Sequence, residues 1–473
     1  MGSGPADDES QGVTIQPSAV IGLLIALVVL GVGVFFPTPD GVSPSAQRAL
    51  AVFLTALILW LTRPLPYVVS SIFCVVLLFG LGTVDSFAAA ATGYTSTLVF
   101  FLLLLLLLAN TISSVGLDVR LAERLLVAER SPARTFRSIA GSVLALALVM
   151  PSAMARAVTF IPVVERLTTR FGPSEGFERG SYLLLGHVNP IASMALMTGG
   201  GMALVTSEIV NESVRTVTWV EWAVMMLPPT VGLYGLTTVA AGLFADIDDA
   251  KRAETVGSPS TDEEPEPVTR DQYIVGGVTV GAVLGWVVGS FVGLPTIVPA
   301  IVAVAVLALP GVEIITAEDI AEVSWGIIFL IGAMLSILDV MEATGAITLV
   351  VDILTRWIPF AALTQWQVVL ALLTIAVGIR ILFSTGSAAI VVILPIVLEF
   401  GGVFGVDRLH LALSVLLVVG STTILPFNTT AVLVSMDRGP LSHHDVARFG
   451  VLTMLLSLVV VAVSWLVYWP LVS

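Results

Sequence analysis

Apolar residues in this chain run in long blocks separated by short polar turns. Crossing about 30 Å of hydrocarbon takes roughly 17 to 25 mostly apolar helical residues. Eleven stretches meet that length: 18–36, 47–63, 66–82, 97–115, 181–207, 219–244, 272–291, 295–311, 324–343, 409–435 and 447–470. Two further apolar regions, 138–168 and 366–400, turn at small-residue tips, Pro151-Ser152-Ala153-Met154 and Ser384-Thr385-Gly386-Ser387. Each arm is too short to cross comfortably, and non-helical backbone at membrane depth persists only where protein or a water-filled cavity surrounds it. Both regions therefore read as re-entrant hairpins, and the predicted fold class is an all-α integral membrane protein with 11 spans and two hairpins.

The pattern then repeats. Leu65-Pro66 recurs as Leu294-Pro295, Ser114-Val115-Gly116 as Ala343-Thr344-Gly345, Ile161-Pro162 as Leu394-Pro395, and Thr198 as Thr429, in the same order at offsets of 229 to 233 residues. Such self-similarity in a membrane protein with interrupted helices is the mark of a secondary transporter built from a duplicated unit. With an extra first helix and loop (18–46) set aside, each half, 47–245 and 272–473, holds five spans and one hairpin. An odd number of crossings turns the second copy upside down, so the repeats are inverted. The acidic, Pro/Ser/Thr-rich stretch 246–271 is the linker between them, and residues 1–17 read as a disordered tail.

Orientation follows from the basic residues. With the N-terminus in the cytoplasm, the inner loops carry fourteen Lys and Arg residues and the outer loops only four, Arg48, Arg215, Arg356 and Arg408. Arg156 and Arg380 remain inside the hairpins. This puts the linker inside, the C-terminus outside, and the protein in the plasma membrane, with the hairpins entering from opposite faces.

Composition agrees with the pattern: 57% of residues are hydrophobic, 11% are charged and mean hydropathy is +1.02, far from a soluble average. The formal charge of -14 comes mainly from short polar segments, and Lys251 is the one lysine; acid-rich, lysine-poor loops fit a saline medium. Cys74 stands alone in an apolar run, which leaves no disulfide framework and no thiolate metal site. His187, His410, His443 and His444 have no zinc-binding spacing. No nucleotide-binding loop or assembled nucleophile and base points to an enzyme. The expected partners are the lipid bilayer and a small anion, with no nucleic acid, and the expected assembly is a homodimer.

The chemistry is expected where the hairpin tips meet two interrupted spans. Pro190 and the glycines after Thr198, Gly199-Gly200-Gly201, break the fifth span, and Pro426 breaks the tenth, where Asn428, Thr429 and Thr430 follow. Freed carbonyls at such breaks suit a small cation, while helix N-termini and hydroxyls suit an anion. The competing reading is that small residues merely allow close helix packing. Arg156 offers forked donors to an anion, or else snorkels or pairs with an acid such as Glu165. Arg380 carries the same two readings, with a reach toward an interface favoured. Asp339 and Glu342 near a span end read as solvated, and Ser442-His443-His444-Asp445 has capping-box spacing. His187, one turn from the first break, either titrates or is held by a carbonyl.

These residues resemble the divalent anion/sodium symporter family, the sodium-coupled dicarboxylate, citrate and sulfate carriers, from Trp60 to the C-terminus. Trp60-Leu61-Thr62 before Leu65-Pro66 is similar to the family's Trp-x-Thr-x-x-x-Pro. The family's tip Ser-Asn-Thr falls on Ser152-Ala153-Met154 and Thr385-Gly386-Ser387, and its Thr-Pro-Pro-Asn breaks fall on Gly200-Gly201-Met202-Ala203 and Thr429-Thr430-Ala431-Val432. Both tip asparagines and both break asparagines are absent here. The expected substrate site is Ser152, Ala153, Met154, Thr198, Thr385, Gly386, Ser387, Thr429 and Thr430, with Arg156 and Asn428 taking over part of the polar work as in a divergent branch of the family. The resemblance implies sodium at Ser152, Gly199, Gly200, Ser384, Thr385, Gly386 and Asn428. The expected function is sodium-coupled import of a dicarboxylate or sulfate by alternating access. A cation/proton exchanger, or a proton-coupled or uncoupled anion carrier of the same architecture, is the alternative. An acid at a tip or break would favour an exchanger, and none is present.

Overall fold

The computed structural model describes residues 17–39, 41–125, 131–148, 150, 152–171, 175–247, 267–350 and 363–472. Among them every regular element is a helix. The N-terminal tail, residues 248–266 of the 246–271 linker, Pro151 and Arg356 lie outside the described residues.

After the first helix, Pro17–Phe35, two runs of elements follow the same order. The first run is Pro44–Thr62, Tyr67–Gly80 and Thr97–Ser114, a helical hairpin of Pro132–Ala147 and Ala153–Phe171, an interrupted helix ending in Gly201–Ser213, and Trp219–Phe244. The second is Arg270–Val292, Ile297–Leu307 and Trp325–Thr344, a hairpin of Gln365–Leu382 and Gly386–Val403, an interrupted helix of Arg408–Ser421 and Thr430–Arg438, and His443–Val463 with its extension to Val472. The starts are written locally. Ser43 accepts from the Ala46 amide ahead of Pro44, and Thr218 and Thr269 close capping boxes with Glu221 and Gln272.

Hydrogen bonds between element ends sort the molecule into two faces. On the linker face Gln272 donates to the Val115 carbonyl (3.0 Å) and accepts from Arg120 (3.0 Å), and Arg270 donates to the Gly311 carbonyl (2.7 Å). On the opposite face Arg48 donates to the Leu81 carbonyl (2.8 Å), the Val220 amide to Ser290 (3.1 Å) and Gln365 to the Gly405 carbonyl (2.8 Å).

Two details differ from the sequence expectation. Eight helices among the described residues are long and apolar enough to cross a membrane, and two of them are the 18-residue arms of the second hairpin. At about 1.5 Å rise per residue those arms are roughly 27 Å long, so shortness is not what makes them re-entrant. The reversal is set by register: each tip lies level with a helix break, and Gly201–Ser213 or Thr430–Arg438 continues beyond it. The expected spans at 66–82 and 295–311 shrink to Tyr67–Gly80 and Ile297–Leu307: each begins just past its proline and stops short of a positive-φ glycine, Gly82 or Gly311.

Glycine permits one close contact beside Trp325–Thr344. A Cβ on Gly93 would lie 2.3 Å from the Gly332 carbonyl oxygen and 2.4 Å from the Ser336 nitrogen, both backbone atoms that cannot yield cheaply. Gly93→Ala should therefore destabilise by about 1–3 kcal/mol, and the unfolding midpoint of the purified protein in detergent should fall by several degrees. Gly141→Ala, where nothing lies within 4 Å, should hold or raise that midpoint.

Candidate functional site

Pro190 shapes the first break. With no N–H of its own and a ring that clashes with the carbonyl four residues back, it is preceded by one wide π turn, Leu184–Val188, in which the Asn189 amide donates to the Leu184 carbonyl. The Leu185 carbonyl thereby loses its backbone partner and takes the Asn189 side-chain amide at 3.2 Å. The same amide donates to the Ala153 carbonyl at the first hairpin tip (2.7 Å).

Arg156 completes this junction. Fully buried, it donates from Nε to Asn189 Oδ1 (2.7 Å), from Nη2 to the Asn189 carbonyl (3.2 Å) and the Ser193 hydroxyl (2.6 Å), and from Nη1 to the Met150 carbonyl. Arg380 does the corresponding work in the second hairpin. It donates to the carbonyls of Phe383 (2.8 Å), Val419 (3.1 Å) and Asn428 (2.8 Å). Asn428 returns its side-chain amide to the Ile381 and Phe383 carbonyls, each at 2.8 Å, and accepts from the Leu425 amide at 2.8 Å.

In this geometry Arg156 forms no ion pair with Glu165, and the guanidiniums of Arg156 and Arg380 both face protein oxygens. The physical reason is that carbonyls freed in a low-dielectric interior demand donors, and a guanidinium supplies five. Asn428 is likewise spoken for at its amide, its side-chain oxygen and its carbonyl.

Ser152, Ala153, Met154, Thr198, the Ser384–Ser387 tip and Thr429 are half-buried, in contrast to the buried helices behind them. Ser152 and Thr385 cap the second arms, accepting from the amides of Ala155 (3.2 Å) and Ala388 (3.4 Å), and Thr429 accepts from Ala431 (3.1 Å). Gly201–Ser213 has no side-chain cap. Its start meets the second tip: a Cβ on Gly201 would lie 2.8 Å from Ser387 Oγ, and one on Gly386 would lie 2.1 Å from Met202 Sδ. Two helix N-termini therefore face each other, each with amides that have no intrahelical partner. Gly199 sits where the chain folds back, within 2.6 Å of the Ser193 carbonyl oxygen for an added Cβ. Thr198 accepts from the Trp219 indole (3.1 Å), and Thr430 is exposed.

A cavity of about 450 Å³ opens beside the first tip, lined by Ser152, Met154, Thr159, Asp118, Glu123 and Arg166 among others. Ser384 at the second tip lies 3.3 Å from the Tyr67 hydroxyl. Of the other sequence candidates, His187 is held by the Val446 carbonyl (3.2 Å) and Phe449, and Ser442 and Asp445 close the expected capping box. Asp339 accepts from Thr92 (2.8 Å).

Sequence reasoning missed two residues. Asn189, the residue before the span-breaking Pro190, bonds the break to the tip. Glu208 is 6% exposed in Gly201–Ser213; the signal for it is that a half-helix starting at Gly201 must continue past 207 to reach a face.

Two hairpins whose tips are bonded into two interrupted helices define a membrane carrier and not an enzyme. The chain belongs to the family described as the sodium:sulfate symporter transmembrane region, which matches residues 18–473. It is 24% identical over 486 residues to the citrate/succinate antiporter of Escherichia coli K12, covering 95% of this chain and 97% of that one. It is 27% identical over 359 residues to the chloroplastic dicarboxylate transporter 1 of Spinacia oleracea (72% and 60%) and 22% identical over 350 residues to a putative malate transporter of Bacillus subtilis (70% and 72%).

If Arg156 pins the tip, its loss must appear in stability before any anion is added. Bonds to charged groups contribute about 1.5–3 kcal/mol each, so Arg156→Gln and Asn189→Ala should each lower the unfolding midpoint of anion-free protein by several degrees, with Arg156→Lys only partly protective. An unchanged midpoint in Arg156→Gln would contradict the pinning role.

Proposed function

We propose that this protein imports a small divalent anion, a dicarboxylate or sulfate, by alternating access coupled to sodium. The observation that carries this reading is the meeting of the Gly201 and Gly386 helix starts, with Ser387 between them. Unpaired amides and the positive ends of two helix dipoles favour an anion there. The names of the relatives, dicarboxylate, malate and citrate/succinate transporters, point to the same class of cargo.

The substrate set on this reading is Ser152, Ala153, Met154, Thr198, Thr385, Gly386, Ser387, Thr429 and Thr430, with Arg156 and Asn428 acting behind it to hold the tips. Sodium is assigned to carbonyls around Gly199 and Gly200 and to Ser152, Ser384, Thr385 and Gly386. Backbone carbonyls survive any side-chain change, which is why coupling is expected without the family's tip asparagines. The two halves act as inverted repeats in the plasma membrane, with the linker and N-terminus in the cytoplasm. Glu208 does not move the reading to an exchanger, because it lies two turns beyond the break.

In proteoliposomes, uptake of labelled succinate or sulfate should rise with an inward sodium gradient, and Ser152→Ala and Thr385→Ala should raise the sodium concentration for half-maximal uptake several-fold. Uptake driven equally by a proton gradient without sodium would overturn the coupling. Uptake that requires a preloaded anion would replace import by exchange. A single cysteine placed in the linker of a Cys74→Ala protein should resist an impermeant thiol reagent in intact cells; labelling would reverse the orientation.

A further inference from the structure

The loop between Pro44–Thr62 and Tyr67–Gly80 holds one residue in a costly conformation. Arg63 ends its helix in the left-handed region (φ 49°, ψ 46°), where a non-glycine side chain crowds its own backbone. The consequence is a fixed direction for its long side chain. The guanidinium lies 4.9 Å from the centre of the Tyr67 ring, and Nε donates to the Tyr67 hydroxyl at 2.9 Å. That hydroxyl is 3.3 Å from Ser384 Oγ, one residue before the Thr385 cap of the second arm. Among the described residues no carboxylate lies within 4 Å of Arg63. Its Nη1 and Nη2 fork is therefore exposed, oriented and within two hydrogen bonds of the tip whose helix start meets Gly201.

The second half carries no counterpart. At the repeat offset of 229 residues, Arg63 and Tyr67 correspond to Val292 and Thr296, neither of which offers a cation. A device present in one copy only is not required by the repeat architecture.

We infer that Arg63, oriented by Tyr67, is an anion-receiving residue at the linker-face mouth of the second hairpin tip, where it exchanges a small divalent oxyanion with the site. This rests on the anion reading above. A guanidinium fork matches a carboxylate or sulfate bidentately, whereas lysine offers a point charge. Stacking on Tyr67 means that little side-chain freedom is lost when the fork is filled.

The test uses purified full-length protein and two readouts. The first is the rate at which phenylglyoxal modifies Arg63, followed by mass spectrometry, in sulfate or succinate against gluconate at equal ionic strength. We expect divalent anions to slow modification at least threefold, and Tyr67→Phe to remove that protection. Equal rates in all three salts would overturn the inference. The second readout is uptake in proteoliposomes. Arg63→Gln should raise the half-saturating anion concentration about tenfold with the maximal rate within twofold, Arg63→Lys should fall between, and Arg448→Gln, an exposed arginine on the same face, should match wild type. Arg63→Gln saturating like wild type would also overturn it. Protection of Arg63 in a protein that transports neither anion would sink the transport reading and keep the site; transport with unprotected Arg63 would do the reverse.

Discussion

An interrupted helix at membrane depth exposes carbonyls that no water can satisfy, and the rest of this architecture follows from how they are answered. Each unsatisfied group in hydrocarbon is a penalty of several kcal/mol. The protein answers with an arginine and an asparagine at each break: Arg156 with Asn189, and Arg380 with Asn428. Among the described residues neither arginine is paired with a carboxylate. Each is solvated by carbonyls and hydroxyls, so that a buried charge and several orphan acceptors cancel one another's desolvation.

Because the bonds join hairpin tip to helix break, they also couple the two. Asn189 holds Ala153, and Asn428 holds Ile381 and Phe383, so neither tip can shift without carrying its break. The second tip is further committed to the first broken helix through the Gly386–Met202 and Gly201–Ser387 approaches. The small residues there serve packing and, in the same positions, leave helix-start amides uncovered. The packing and binding readings of these glycines are thus two consequences of one geometry, since amides are available to a ligand only where side chains are absent.

The fold was legible because its signals are additive over many residues. Apolar runs, the 229-residue offset and the glycine and proline breaks each constrain whole segments, so single misjudgements do not spread. Span lengths at 66–82 and 295–311 are overestimated because hydropathy continues past both helix ends, into Pro66 and Pro295 on one side and beyond Gly80 and Leu307 on the other. The site was less legible. Arg156 looks the same in sequence whether its fork faces a ligand or a carbonyl; the deciding partners, Met150 and Asn189, lie on the other arm and on another helix. Asn428 was marked as a ligand for its chemistry, and only the register of the second arm shows the Ile381 and Phe383 carbonyls waiting for its amide.

The two tips are chemically alike yet stand in different surroundings. Ser152 lines a cavity that reaches Glu123 and Arg166, whereas Ser384 touches Tyr67, a residue of an early span outside the hairpin and break assembly. A duplicated unit with equal halves would present both tips alike. On the alternating-access reading proposed above, one end state would press one tip against neighbouring helices and leave the other beside open space, which is the asymmetry these tips show. The Tyr67–Ser384 bond is neutral, long and half-buried, so it contributes little to stability. On the same reading, a contact that must break and re-form is better made of such a bond than of the charged, fully buried ones that hold each tip to its break.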